Sequence, residues 1–271
     1  MFSGKVRLAW LVMAALFSVS AVFAGEVDKE KLQMAADGAH RSDANKARNA
    51  HRHPVDTLAF FGITPDMTVV EVYPGGSAWY TEVLAPYLKD EGQLVLAAFD
   101  SSAHEYFKNA NEKLAEKMKS DDIYAAVKWH EFRPPVKTAL AIPGTVDAVL
   151  TFRNIHGWMR GGSAPTMFAS FYDVLKPGGV LGVVQHRLPA DREQDPKAAS
   201  GYVKEEYVIK LAEQAGFILV NKSEINANPK DTADYKGGVW TLPPTLGDKE
   251  NKEKYEAVGE SDRMTLKFVK P

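Results

Sequence analysis

Four short segments of this chain concentrate side chains able to do chemistry. They are Glu71-Val72-Tyr73-Pro74-Gly75-Gly76-Ser77, Asp100, Arg153-Asn154-Ile155-His156 and Gln185-His186. Each follows an apolar run, so each falls where a buried strand would end. Small residues at 75–77 let backbone N–H groups approach a ligand closely, and a helix start behind such a turn favours a carboxylate or phosphate. An acid at position 100 can accept hydrogen bonds from a ribose diol. His156 and His186 carry imidazoles that titrate near neutrality, suited to a general base or to orienting a second reactant. Taken together these residues describe a nucleoside-binding site with two histidines beside it.

The elements needed to bring these segments together are legible in the hydrophobic pattern. Residues 28–50 are polar and Ala-rich and read as one weakly amphipathic helix in need of a partner surface. Pro54 opens a second helix, 55–61, which Gly62 closes. Apolar runs at 67–73, 94–99, 146–152 and 180–185, with a further strand around 125–132, then alternate with helical spacing at 79–88, 103–119 and 164–175. Strands apolar throughout and separated by helices predict a parallel sheet covered on both faces. A further helix, 203–215, leads to a strand at 217–225. The turn-rich polar stretch 226–259 intervenes before the last strand, 264–269. With no helix between them, those final strands are expected to pair antiparallel. In such an open sheet ligands bind beyond the carboxyl ends of the strands, which is where the reactive residues fall.

The fold class expected is therefore α/β: a Rossmann-like, seven-stranded, mostly parallel sheet with helices on both faces and an antiparallel last strand. Residues 1–24 read as a signal peptide, because Lys5 and Arg7 precede an apolar run that ends in Val22-Phe23-Ala24. Residues 25–65 form an N-terminal helical segment and 66–271 the α/β domain, with 227–259 as an insertion. The expected location is periplasmic or secreted, without stable membrane insertion after cleavage. The 271 residues carry a net charge of -2 and contain no cysteine. That balance offers no basic excess for nucleic acid, and a thiol nucleophile or Cys-held metal is excluded. His40, His51 and His53 do not make a metal set, since an i, i+2 pair diverges on a helix and His53 precedes proline. The expected partner is a small molecule, with no metal.

Four further readings stay open on the residues alone. Glu71, inside an apolar strand, needs a ligand group or a basic neighbour such as Arg52 or Arg263. Asp100 can instead cap the following helix. Ser77, at a strand-to-helix turn, also suits a serine nucleophile, although the elbow's final glycine is missing. The basic run 46–53 and the long segment 226–259 read either as solvated surface or as covers over the site.

The order of elements, the glycine turn, the Asp-ended second strand and Leu175-Lys176-Pro177-Gly178-Gly179 resemble the class I S-adenosylmethionine-dependent methyltransferases over most of residues 55–268. The segments His40-Arg41-Ser42, Arg52-His53-Pro54, Gly238-Val239-Trp240-Thr241 and Glu260-Ser261-Asp262-Arg263 are similar to those of a group of exported proteins known as predicted methyltransferases. The resemblance implies S-adenosyl-L-methionine as cofactor. It makes Glu71 the acid of the first motif, Gly75 the middle glycine beside the methionine moiety and Asp100 the ribose acid. Tyr73, Gly76 and Ser77 complete that turn, with Tyr73 and Ser77 standing where the family usually has glycine. Asn154 and His156 fall where the fourth strand meets donor and acceptor, and His156 and His186 become the catalytic candidates. A methyltransferase of a small-molecule acceptor is thus implied. The alternative is a non-catalytic nucleoside- or quinone-binding protein on the same scaffold.

Overall fold

The computed structural model describes residues 25–271, so the signal-peptide reading of residues 1–24 lies outside the described residues. Seven strands form one sheet: β1 (Thr68–Val72), β2 (Gln93–Ala98), β3 (Lys128–Glu131), β4 (Val146–Phe152), β5 (Leu175–His186), β6 (Ile218–Ser223) and β7 (Arg263–Val269). Their order across the sheet is β3-β2-β1-β4-β5-β7-β6. β1 pairs in parallel with β2 and β4, and β4 with β5, whereas β7 runs antiparallel to both β5 and β6. This is the expected class, including its antiparallel last strand.

Alternate residues of the central strands feed two separate cores. Val70, Val72, Val149, Leu181 and Val183 point to one face, beneath α7 (Ile155–Gly161), α8 (Ala164–Val174) and α9 (Glu205–Gln214). Val69, Leu94, Leu96, Ala148 and Leu150 point to the other. That second face is covered by α1 (Lys29–Asp37), α4 (Pro54–Phe61), α5 (Thr81–Leu88) and α6 (Glu105–Lys119). Burial on both faces is why these strands read as continuous apolar runs.

The single helix expected over 28–50 is three pieces: α1, then α2 (Asp43–Ala47) and α3 (Asn49–Arg52). Gly38 ends α1, and the chain then turns so that Arg41, 2% exposed, can reach Glu82 at 3.2 Å. Lys117 of α6 joins the same carboxylate. Trp79 lies between two guanidiniums, with Arg41 and Arg52 each 4.8 Å from its ring centroid. This clasp holds the N-terminal helices on the domain.

Other boundaries also shift. α5 begins at Thr81 rather than Trp79, and α7 had no sequence signal of its own. His53 takes a left-handed conformation (φ 39°) instead of the extended one that Pro54 favours, because α3 must end and α4 begin there without a linker. The segment 226–259 contains a 3-10 turn at Gly238–Thr241 and α10 (Lys252–Val258). It is pinned by Asn228, whose Nδ2 donates to the carbonyls of Val258 (2.9 Å) and Glu260 (2.6 Å). Among the described residues, no helix is long and apolar enough to cross a membrane.

Candidate functional site

A cleft of about 1610 Å³ opens at the carboxyl ends of β1, β2, β4 and β5. All nine residues singled out from sequence line it: Glu71, Tyr73, Gly75, Gly76, Ser77, Asp100, Asn154, His156 and His186. Parallel neighbours end at one rim, so residues distant in sequence meet there.

The turn after β1 is built for a close approach. Gly75 sits at φ 66°, with open space where a side chain would be. Among the described residues, the N–H groups of Gly75, Gly76 and Ser77 are not taken up by internal hydrogen bonds. Tyr73, where the family has glycine, also adopts a positive φ of 51°, a conformation that costs a side-chain-bearing residue about 1 kcal/mol. Its N–H donates to Ala97 O (2.8 Å), its hydroxyl donates to Phe132 O (2.9 Å), and its ring packs on Phe99 with centroids 4.6 Å apart. The ring is thus carried toward β3 and forms one wall, leaving the cleft open. Ser77 makes no hydrogen bond to a histidine among the described residues, so the serine-nucleophile reading has no geometry behind it.

Glu71 is 3% exposed, and neither Arg52 nor Arg263 is its partner; both pair with Glu260 instead. Its Oε2 accepts a hydrogen bond from the Thr81 hydroxyl at 2.6 Å. Burial pushes its pKa up to about 7, the hydroxyl only partly opposing the rise.

Asp100, 2% exposed, does not cap α6; His104 does so through Nδ1. The Asp100 carboxylate accepts from Lys137 Nζ (2.6 Å), Arg133 Nε (2.6 Å) and the Ser102 hydroxyl (2.7 Å). Lys137 above all, then Ser102 and Arg133, hold it far below the usual carboxylate range even against desolvation. Arg133 is 43% and Lys137 37% exposed, so both cations border solvent on the side away from the acid.

At the other end, Asn154 Nδ2 donates to Val72 O (2.8 Å), tying β4 to β1. Gln185 fixes the state of His156. Its Oε1 accepts from Ile155 N (3.1 Å) and its Nε2 donates to Gly201 O (3.1 Å), so the remaining N–H points at His156 Nδ1 (3.4 Å). Neutral His156 therefore carries its proton on Nε2 and offers a donor. Burial, with Arg160 and Arg153 adding to it, lowers its pKa to about 4. His186 Nδ1 meets the Ser261 hydroxyl at 2.5 Å, and burial again takes its pKa well below the ordinary value. The two rings lie 5.8 Å apart, and Trp240 closes on His156 at 5.7 Å. The segment 226–259 thus covers the site through Trp240.

Two residues named from the sequence, but given no place at the cleft, belong to it. Arg52, 1% exposed, and Arg153 both line the cleft. Arg153 stands at φ 65°, its N–H donating to Val184 O at 2.7 Å. The basic run 46–53 is thus neither a plain solvated face nor a lid alone. Arg48 and Arg52 anchor it by binding Glu260 at 2.6 and 3.0 Å. Among the described residues, no group of three His, Asp or Glu side chains is arranged to hold a metal ion.

No protein-family model matches the chain, and no curated protein matches it by sequence. Solved structures do. An S-adenosylmethionine-dependent methyltransferase from Aquifex aeolicus superposes with TM-score 0.53 at 16% identity, over 91% of this chain and 100% of that one. Phosphoethanolamine N-methyltransferase 2 of Haemonchus contortus, solved with S-adenosyl-L-methionine, gives 0.53 at 14% identity over 81% and 52%. The [4+2]-cyclase SpnF gives 0.53 at 14% identity over 92% and 97%. With the strand order and the rim cleft described above, these likenesses establish that the chain has the class I fold of S-adenosylmethionine-dependent methyltransferases.

Proposed function

We propose that the protein is an S-adenosylmethionine-dependent methyltransferase of a small-molecule acceptor, exported by way of residues 1–24 and akin to the exported predicted methyltransferases. The observation that carries this reading is the convergence of the glycine turn, Asp100, Asn154 and both histidines on one cleft. When bound, the sulfonium cofactor supplies an electrophilic methyl group. The unengaged N–H groups at 75–77 suit its carboxylate, and the diol would take the place of Arg133 and Lys137 on Asp100. His156 donates from Nε2 to orient the acceptor. His186, whose Ser261 partner can donate or accept, stands beside it as a neutral imidazole that a hydrogen bond from the acceptor can use. Holding the two reactants in line supplies most of the rate.

A second reading is a non-catalytic nucleoside- or quinone-binding protein, and one observation favours its quinone form: both carboxylate oxygens of Asp100, which a ribose would need, are already occupied by cations. Titration calorimetry of the purified protein with S-adenosylmethionine and S-adenosylhomocysteine tests the proposal. Saturable heat with both is expected; no heat and no thermal shift with either removes it. Binding without transfer to any acceptor offered leaves the second reading.

A further inference from the structure

The inner end of the cleft holds more positive charge than its acid can neutralise. Arg48, Arg52 and Arg263 all converge on the single carboxylate of Glu260, at 2.6, 3.0 and 3.1 Å. Arg153 lies in the same electrostatic neighbourhood, yet among the described residues its guanidinium has neither an ion pair nor a hydrogen-bond acceptor. Arg52, though buried, leaves its Nη2 without any partner. Arg153 is half-buried at the cleft wall, whereas Arg52 is buried, and a buried cation left short of a partner is costly. The left-handed backbone of Arg153 is a second cost, of the kind that persists at ligand-binding positions.

The surroundings are flat and aromatic. Tyr80 stacks on Phe152 with centroids 3.5 Å apart, and Trp240 lies against His156 with the Arg160 guanidinium 5.7 Å from its ring. Resting on the methyltransferase reading, in which the donor's own carboxylate belongs to the turn at 75–77, we propose that the acceptor is an anion. Its carboxylate is received by Arg153 together with the buried, unpartnered Nη2 of Arg52, and its planar body lies along the wall of Trp240 and Tyr80. Paired N–H groups of a guanidinium match the two oxygens of a carboxylate.

Benzoate and its neutral isostere benzamide are the probes, titrated into the wild-type protein and into Arg153→Met and Arg153→Lys, with S-adenosylhomocysteine titrated separately. Benzoate is expected to bind at least tenfold more tightly than benzamide. Arg153→Met should erase that preference and Arg153→Lys retain part of it, with S-adenosylhomocysteine affinity unchanged within twofold. The comparison of the two probes on the wild-type protein stands even if a variant fails to fold. Equal binding of benzoate and benzamide, no benzoate binding, or an Arg153→Met variant that keeps the preference overturns the inference. So does an Arg153→Met variant that loses S-adenosylhomocysteine instead, because the arginine would then hold the donor. Absence of S-adenosylhomocysteine binding alongside Arg153-dependent benzoate binding sinks the methyltransferase reading and leaves an anion subsite.

Discussion

Glu260→Gln removes the carboxylate that, among the described residues, Arg48, Arg52 and Arg263 share, while keeping its volume. Glu260 is 4% exposed, and Arg52 and Arg263 are 1% and 2% exposed, so solvent replaces little of what is lost. Breaking a buried ion pair from one side typically costs about 3–5 kcal/mol, and three cations depend on this one acid. We therefore expect a loss of about 4 kcal/mol at pH 7, read from urea unfolding followed by tryptophan fluorescence with an unchanged denaturant slope. The pH dependence gives an internal control. Burial alone would raise the Glu260 pKa, but Arg52, Arg263 and Arg48 outweigh it and hold the acid well below its ordinary value. Its contribution is then fully present above the unfolded pKa of about 4.3 and fades as pH falls toward the folded one. The gap between wild type and variant should narrow in acid. A loss under about 1 kcal/mol, or a gap independent of pH, would refute the reasoning.

Two further perturbations follow from the donor side of the cleft. Glu71 has its pKa raised to about 7, so the stability linked to its neutral form is present below about 4.5 and lost as pH rises through 7. Glu71→Gln should be more stable than wild type at pH 8, by up to about 3 kcal/mol, with the difference vanishing near pH 4; thermal unfolding across that range reads it. Asp100→Ala should weaken S-adenosylhomocysteine binding by about 1–3 kcal/mol, five- to 150-fold, in calorimetry. Unchanged affinity would mean that Asp100 serves only as the anchor for Arg133 and Lys137.

The centre of the sheet was legible because β1, β2, β4 and β5 are buried on both faces, so the apolar runs around Val70, Val95, Val149 and Leu181 needed no knowledge of their neighbours. The rim followed from the same reading, since what comes after each strand must meet what comes after the next. The pairings at that rim were not legible. Nothing in the order of residues says that Asp100 meets Lys137, that Glu71 is left to Thr81, or that three arginines crowd one glutamate. Such contacts depend on side-chain reach between elements far apart in sequence. The segment 226–259 was unreadable for a related reason: it has no apolar period, and polar tethers such as Asn228 set its path.

β6 hydrogen-bonds to no strand but β7, and β7 slots between β6 and β5 only after the intervening stretch has been threaded back. Until that late insertion, two strand edges stand open and half the sheet has no finished boundary, a state prone to pairing with other chains. Contacts of such long sequence separation form slowly. Whatever alters the path of 226–259 therefore acts on the strand that joins β6 to the rest of the sheet.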